Sequence, residues 1–433
     1  MNRLRTCYAL LVTQGLSLVG SRMTVIGIGI WLYSTTNTTT PLLLMAFFNE
    51  LPAVFAGSLA GVLVDRWPRR RVLILADTGQ ALGTLRLLAA LLGGWFAVWQ
   101  LYLIVFIQGI FALFQGPAKD AAVTMLVPAG RRERANAVQE MVFPMAGVVA
   151  PALAGLAYAA GGIATVVAVD MVTFLVAIAV VASLHIPDPQ ATAEGLAIQG
   201  RPWQQVAGAL RFLRQRPGLL WLVLYGAALN FLLNGPLGLS IPYLLAVTGS
   251  ERAMGTLMAV QSLGAFAGAA VIAAWGGTRP RIHTLLPGYL LAGVMFLFYA
   301  TARHPVLLGA SLFLLMMPLP MGNALFVSLL QSKVPPDVQG RIFALNNQLG
   351  FIGATASFLL VGPLVDRVLV PAASRPGWTA VAPLVGRGAA GGMGLLLFAA
   401  GILLLLVTLA LYATPAVRHV EQALPDYEAA SAR

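Results

Sequence analysis

The sequence predicts an all-α membrane protein with twelve transmembrane helices in two six-helix bundles. Three observations carry that prediction. Of the 433 residues, 59% are hydrophobic and 10% charged, with a mean hydropathy of +0.83, which leaves too little polar surface for a soluble protein of this length. Apolar runs of about 20 residues, the length that crosses a bilayer at 1.5 Å rise per residue, recur along the whole chain. The widest polar gap between them, 185–218, follows the sixth run and contains HIPDPQATAEG and RQRPG.

Taken in order, the N-terminus MNRLRTCYALLVTQGLSLVG begins basic and turns apolar, like a signal peptide. The run continues to Tyr33 without a convincing cleavage site, so it reads as span 1, 7–33. Spans 2–6 follow at 41–64, 72–93, 97–117, 137–159 and 163–184. Spans 7–12 lie at 219–245, 253–275, 283–302, 305–330, 342–364 and 390–412. The expected organisation is an N-terminal bundle (1–184), a cytoplasmic linker (185–218), a C-terminal bundle (219–415) and a cytoplasmic tail (416–433). Gly235-Pro236, Pro318 and Pro320 fall inside spans, where such residues permit close helix approach and bending.

The net charge of +12 raises the question of nucleic acid. The basic residues sit in short clusters between apolar segments, with no aromatic-interleaved basic domain, so the positive-inside rule accounts for them and no nucleic acid partner is expected. With the N-terminus inside, 20 Lys and Arg fall on the inner side and five on the outer, while Arg22 and Arg86 lie within spans. Both termini are therefore expected in the cytoplasm of a cell with the protein in its inner (plasma) membrane. Cys7 is the only cysteine, which excludes an intrachain disulfide and a redox pair. His185, His283, His304 and His419 stand at four separate segment ends, without metal-ligand spacing. No cofactor is expected. No nucleophile constellation or nucleotide-binding loop accompanies the spans, which argues against a membrane enzyme and against ATP-driven export.

After span 2 comes GVLVDRWPRRR at 61–71, one aspartate with four arginines. Six plus six helices with this G-x-x-x-D-R-x-x-R-R turn resemble the major facilitator superfamily over nearly the whole chain. Gly61, Asp65, Arg66, Arg69 and Arg70 carry the match, with Pro68 where glycine is usual; proline still permits a tight turn. ELPAVFAGSLAGVLVDR, FQGPAKDAAVTMLVP followed by RERANAV, FLRQRPGLL, VPPDVQGRIFAL and GPLVDRVLVP are similar to the macrolide-efflux branch of drug/proton antiporters. The resemblance implies that Asp65 latches the cytoplasmic face near Gly340 to Phe343, with Arg69 or Arg70 completing the cluster. A carboxylate is favoured at a helix N-terminus, by about 0.3–1 kcal/mol. GPLVDR at 362–367 repeats GVLVDR at 61–66 in five of six positions, but span 11 runs the opposite way, so this copy ends on the outer face. The pseudo-repeat counterpart of the first turn is WGGTRPR after span 8, which lacks the acid. Two features depart from the antiporter pattern: GVVAPALAG in span 5 has Ala150 where Gly-Pro is usual, and span 4 has Gln108 rather than an arginine as its main polar group.

Ionisable residues inside spans are expensive and point to function. Counting residues from the outer ends puts Arg22 (span 1) and Glu50 (span 2) within roughly 3 Å of the same depth. They form the candidate proton-coupling pair, in which protonation of Glu50 releases Arg22; a static bridge is the alternative. The same count pairs Arg86 (span 3) with Asp170 (span 6) as a structural ion pair. The resemblance places a substrate cavity between helices 1, 4, 7 and 10. Its candidate residues are Gln14 and Ser17; Gln108, Phe111, Phe114 and Gln115; Asn230 and Asn234; and Met316, Met317, Met321 and Asn323. Glu140, Gln261, Asn346 and Gln348 add to them. Apolar walls with sparse hydrogen-bonding groups and adaptable methionines suit a bulky amphipathic ligand. The expectation is a monomeric, proton-coupled secondary exporter of lipophilic or amphipathic small molecules, embedded in the lipid bilayer. A lysophospholipid, lipid or siderophore exporter, and a non-transporting receptor or scaffold of the same fold, remain open alternatives.

Overall fold

The computed structural model describes residues 3–127, 132–186 and 202–427. No strand occurs among them. The chain divides into two compact units, Met1–Ala197 with Thr248–Ala259, and Ile198–Val247 with Val260–Arg433.

The first unit contains α1 (Arg3–Thr36), α2 (Thr40–Arg66), α3 (Arg69–Leu92), α4 (Val98–Leu126) and α5 (Arg132–Ser183). The chain reverses within α5 at Gly161 and Gly162; Gly162 has φ 67° and ψ −161°, a conformation that only glycine adopts without strain. Its two limbs are spans 5 and 6. The eleven described helices long and apolar enough to cross a membrane therefore hold the twelve expected spans. Between α2 and α3 only Trp67 and Pro68 intervene. Trp67 is extended (φ −109°, ψ 150°), as a residue before proline must be, and its N–H caps the helix by donating to Val64 O. Helix α1 packs along α5, α2 along α4, and α3 along both α4 and α5. At the end of the unit that carries this turn, Cys7, Leu11, Val64, Leu73, Val123 and Leu184 close into one buried apolar cluster.

In the second unit, prolines break two spans. Span 7 becomes α7 (Pro217–Gly238) and α8 (Ser240–Thr248), preceded by the linker helix α6 (Pro202–Arg214). Span 10 becomes α11 (Pro305–Met316) and α12 (Pro318–Lys333), after α9 (Glu251–Trp275), whose start up to Ala259 belongs to the first unit, and α10 (Ile282–Thr301). Proline lacks the N–H and crowds the carbonyl four residues before it, so the ladder breaks at Leu239, where Pro242 cannot serve Gly238 O, and at Met317 before Pro318. Span 11 is α13 (Pro336–Leu364), which continues through a π turn at Val365–Leu369 into α14 (Val370–Ala373). GPLVDR thus runs on as helix here, whereas GVLVDR ends one at Arg66. After α15 (Ala382–Val385), span 12 is α16 (Gly388–Ala413).

The linker holds more structure than its composition announces. Residues 187–201 lie outside the described part, but α6 follows, with Ala209 and Leu213 buried and Arg211 and Arg214 in its last turn, where cations complement the helix dipole. The tail is also built: α17 (Pro415–Arg418) and α18 (Val420–Ala423) are pinned to the ends of α10 and α12. Lys333, 3% exposed, donates to Glu421 O at 2.6 Å and Leu424 O at 2.7 Å and forms a salt bridge with Asp426 at 2.9 Å. Arg281 reaches Ser332 Oγ at 2.7 Å and Glu421 at 3.6 Å.

Candidate functional site

Helix α1 presents a stripe at 14, 17, 18, 21, 22 and 25, the i, i+3, i+4, i+7 spacing of one helical face. This stripe walls a cavity of about 340 Å³ within the first unit. Its polar groups are Gln14, Ser17, Ser21 and Arg22 from α1, Asn49 from α2, Gln80 from α3, and Gln115 and Lys119 from α4. Leu11, Leu18, Val25, Val142 and Phe174 supply the apolar remainder.

Behind that wall lies Asp77 of α3, with no exposed surface. Gln14 Nε2 donates to its Oδ2 at 2.8 Å and Gln115 Nε2 to its Oδ1 at 2.5 Å. Gln115 Nε2 also reaches Gln14 Oε1 at 3.1 Å, and Gln80 Nε2 donates to Gln115 Oε1 at 3.1 Å. No salt bridge to Asp77 occurs among the described residues. The polar chain continues: Gln108 Nε2 donates to Gln80 O at 2.9 Å and to Thr84 Oγ1 at 3.2 Å. Thr84 donates in turn to Asp170 Oδ2 at 3.4 Å. Asp170 also accepts from Thr24 at 3.0 Å and Ser21 at 3.2 Å. Gly20 makes the last two bonds reachable, because a Cβ there would fall 2.9 Å from Asp170 Oδ1. Two buried carboxylates are thus joined through amides and hydroxyls of α3 and α4, and both are satisfied as buried polar groups require.

The second unit has its own cavity, about 140 Å³, lined by Asn230 and Asn234 of α7, Asn323 of α12 and Asn346 of α13, with Tyr225, Tyr289 and Phe326. Asn230 Nδ2 donates to Gly226 O at 2.9 Å, and Asn234 Nδ2 to Asn230 O at 2.8 Å. Tyr225 and Thr408 share a 2.7 Å hydrogen bond. No charged side chain lines this cavity.

A family model described as Major Facilitator Superfamily matches residues 10–358. The chain belongs to the Major Facilitator Superfamily. Among curated relatives it is similar to macrolide efflux protein A of Streptococcus pyogenes, 23% identical over 83% of this chain and 89% of that protein. It is also similar to the multidrug efflux pump Tap of Mycolicibacterium fortuitum, 24% identical over 75% and 80% of the two chains. The fold is shared with an inward-facing bacterial homologue of the human lysosomal transporter Spinster (TM-score 0.74, 16% identity, 98% of each chain). It is likewise shared with the nucleoside transporter NupG (TM-score 0.76, 12% identity, 94% of this chain and 100% of that one).

In this superfamily member, the structure brings Gln14, Ser17 and Gln115 together with Arg22 at the first cavity, and Asn230, Asn234 and Asn323 at the second. Other expected residues lie elsewhere. Gln108 is spent on Gln80 O and Thr84. Phe111 lies over Gly79 and lines a separate groove with Gly83, Arg86 and Trp99. Met317 marks the break between α11 and α12 and lines neither cavity.

Among the described residues no salt bridge joins Arg22 to Glu50 or Arg86 to Asp170. The guanidinium of Arg86 lies 4.0 Å from the Trp95 ring centroid, a cation–π contact. The cause is azimuth. Equal depth does not make two side chains face each other, and Thr84, which does face Asp170, is two residues and roughly 200° of helix away from Arg86. Glu50 is likewise about 100° round α2 from Asn49, the residue that lines the cavity.

At the turn, the side chains of Gly61, Asp65 and Arg66 lie outside the described residues, as does that of Glu140. Arg70 is committed to the end of span 6, where it donates to Val181 O at 3.4 Å and to Ala182 O, carbonyls of the helix's last turn. Arg69 is 6% exposed and donates to Trp67 O at 3.3 Å. Asp77, Gln80 and Thr84 escape the sequence reading. Their signal is present in LADTGQALGT, polar residues at i, i+3 and i+7 inside an apolar span, one of them ionisable.

Proposed function

We propose that this protein is a secondary active exporter of lipophilic or amphipathic small molecules, driven by the proton gradient and working by alternating access in the plasma membrane. The observation that carries this reading is the first cavity, a mixed apolar and amide wall standing directly in front of a buried carboxylate. Apolar surface holds a bulky ligand and sparse amides orient it, while a carboxylate in a membrane span is the group that exchanges a proton. Similarity to a macrolide efflux protein and a multidrug efflux pump supports the same substrate class. The 20-to-5 bias of basic residues supports cytoplasmic termini.

The test is flux in proteoliposomes with an imposed pH gradient, using a macrolide, a phenicol and a lysophospholipid as probes. Gradient-dependent accumulation of the macrolide or phenicol is expected. A second reading, export of lysophospholipid, is favoured by Arg22 and Lys119 on the first cavity wall, since both suit a phosphate group; accumulation of the lysolipid alone would select it. No gradient-dependent movement of any probe would leave the fold as a receptor or scaffold.

A further inference from the structure

Every group bonded to Asp77 also faces the ligand cavity. Gln14 and Gln115 each place their Nε2 on the carboxylate and line the cavity wall. Asp170 differs, for it is held by three hydroxyls, of which only Ser21 lines that wall. We propose that Asp77 is the proton-binding residue of this transporter and that the Gln14 and Gln115 carboxamides carry its protonation state to the ligand. The proposal rests on the proton-driven reading above.

The chemistry follows from donor and acceptor counts. An ionised carboxylate only accepts, and here it receives one N–H from each carboxamide. A protonated carboxyl has an O–H to place and needs an acceptor within reach. The nearest are the Oε1 atoms of the same two carboxamides, so protonation turns one of them over and aims its NH₂ at the cavity. In the ionised state those Oε1 atoms accept from Gln115 Nε2 and Gln80 Nε2, so the turn breaks one of these bonds and adds an N–H donor to the cavity wall. The cavity also gains one unit of positive charge beside Arg22 and Lys119. Other ionisable groups on the surrounding helices include Cys7, Arg5 and Tyr8 on α1, Tyr102 and Asp120 on α4, Asp170 on α5, and Arg69, Arg70, Arg71 and Arg86 on α3 itself; no described salt bridge connects any of them to Asp77. A ligand that offers hydroxyl or ammonium donors therefore binds the ionised state and is rejected by the protonated one. Linkage makes this reciprocal: ligand binding expels the proton, which is the sign an antiporter needs.

The experiment uses the purified full-length protein, with radiolabelled erythromycin, which carries hydroxyls and an amine, as the probe. For wild type, affinity rises with pH by up to about tenfold per unit, the slope of one coupled proton, and an imposed pH gradient drives accumulation in proteoliposomes. Asp77→Asn is expected to flatten the pH dependence of binding and to lower gradient-driven accumulation at least roughly tenfold. Asp77→Glu keeps a carboxyl and is expected to keep the pH dependence with a displaced midpoint. A wild-type pH profile in Asp77→Asn, or an undisplaced midpoint in Asp77→Glu if the asparagine variant does not fold, overturns the proposal while leaving the exporter reading intact. Accumulation driven by a sodium gradient at equal pH would overturn the choice of proton. Wild type that moves no probe under any gradient would remove the exporter reading itself.

Discussion

The two units solve the same problem, burying polar groups in a membrane, in opposite ways. The first buries carboxylates, Asp77 and Asp170, and satisfies them with amides and hydroxyls gathered from α1, α3 and α4. Its helices are unbroken between turns apart from the glycine reversal in α5. The second lines its cavity with four asparagines, two tyrosines and a phenylalanine, carries no charge there, and breaks two spans at prolines. A neutral wall can shape a ligand site but cannot follow pH, because carboxamides do not titrate. A titrating wall can follow pH but needs rigid helices to keep its carboxylates satisfied. On the function proposed above, pH response belongs to the first unit and pH-independent ligand contact to the second.

The largest stability effect falls on Asp170. Asp170→Ala strands the hydroxyl donors of Ser21, Thr24 and Thr84 around a small cavity, at about 1–3 kcal/mol for each donor left without a partner. A loss of about 3 kcal/mol or more in thermal unfolding in detergent is expected, with Asp170→Asn much milder. An alanine variant as stable as wild type would show that the hydroxyls re-pair locally, and that this end of the chain is not structural. Lys333 comes next. Lys333→Met removes hydrogen bonds from a buried ammonium to two carbonyls and a salt bridge to Asp426, worth about 1–3 kcal/mol. Limited proteolysis should then cut the 415–427 segment faster, and unchanged cleavage would mean that other contacts hold the tail.

Asn230→Ala probes the neutral half of the comparison. Losing one carboxamide from the second cavity is expected to weaken ligand binding by about 0.5–1.5 kcal/mol, roughly two- to tenfold. The pH slope of binding should stay that of wild type. A changed slope would place a pH-responsive group in the second unit and end the division of labour.

What the sequence discloses and what it hides divide along a physical line. Backbone punctuation is legible, since Gly161-Gly162, Pro68 and Pro318 act through local sterics and each marks a reversal, a turn or a break. Lone polar residues in apolar spans are legible as cavity candidates, and Gln14, Gln115, Asn230 and Asn323 line cavities. Pairings are not. The depth of Arg86 follows from counting residues, but its direction depends on how α3 is rotated against α4 and α5, and packing decides that. Gln108 shows the same limit, a span residue of the right type turned towards α3 instead of the cavity. Asp77 has the opposite history, since its network needs four side chains from three helices, and no local pattern announces that convergence.

The smallest effect is expected at Glu50, and it is the sharpest test of where coupling resides. Asn49, its neighbour on α2, lines the first cavity and lies close to α4, where a Cβ at Gly109 would fall 2.3 Å from Asn49 O. That close approach fixes the rotation of α2 and keeps Glu50 off the cavity wall. Glu50→Gln preserves shape and removes only the ionisable group, so pH-gradient-driven transport should stay within roughly twofold of wild type, the range of a substitution that breaks no network. Comparison with Asp77→Asn under one gradient then locates the coupling residue. A tenfold loss in Glu50→Gln with Asp77→Asn unaffected would move coupling from α3 to α2, and the polar chain from Asp77 to Asp170 would then be a device for holding helices together.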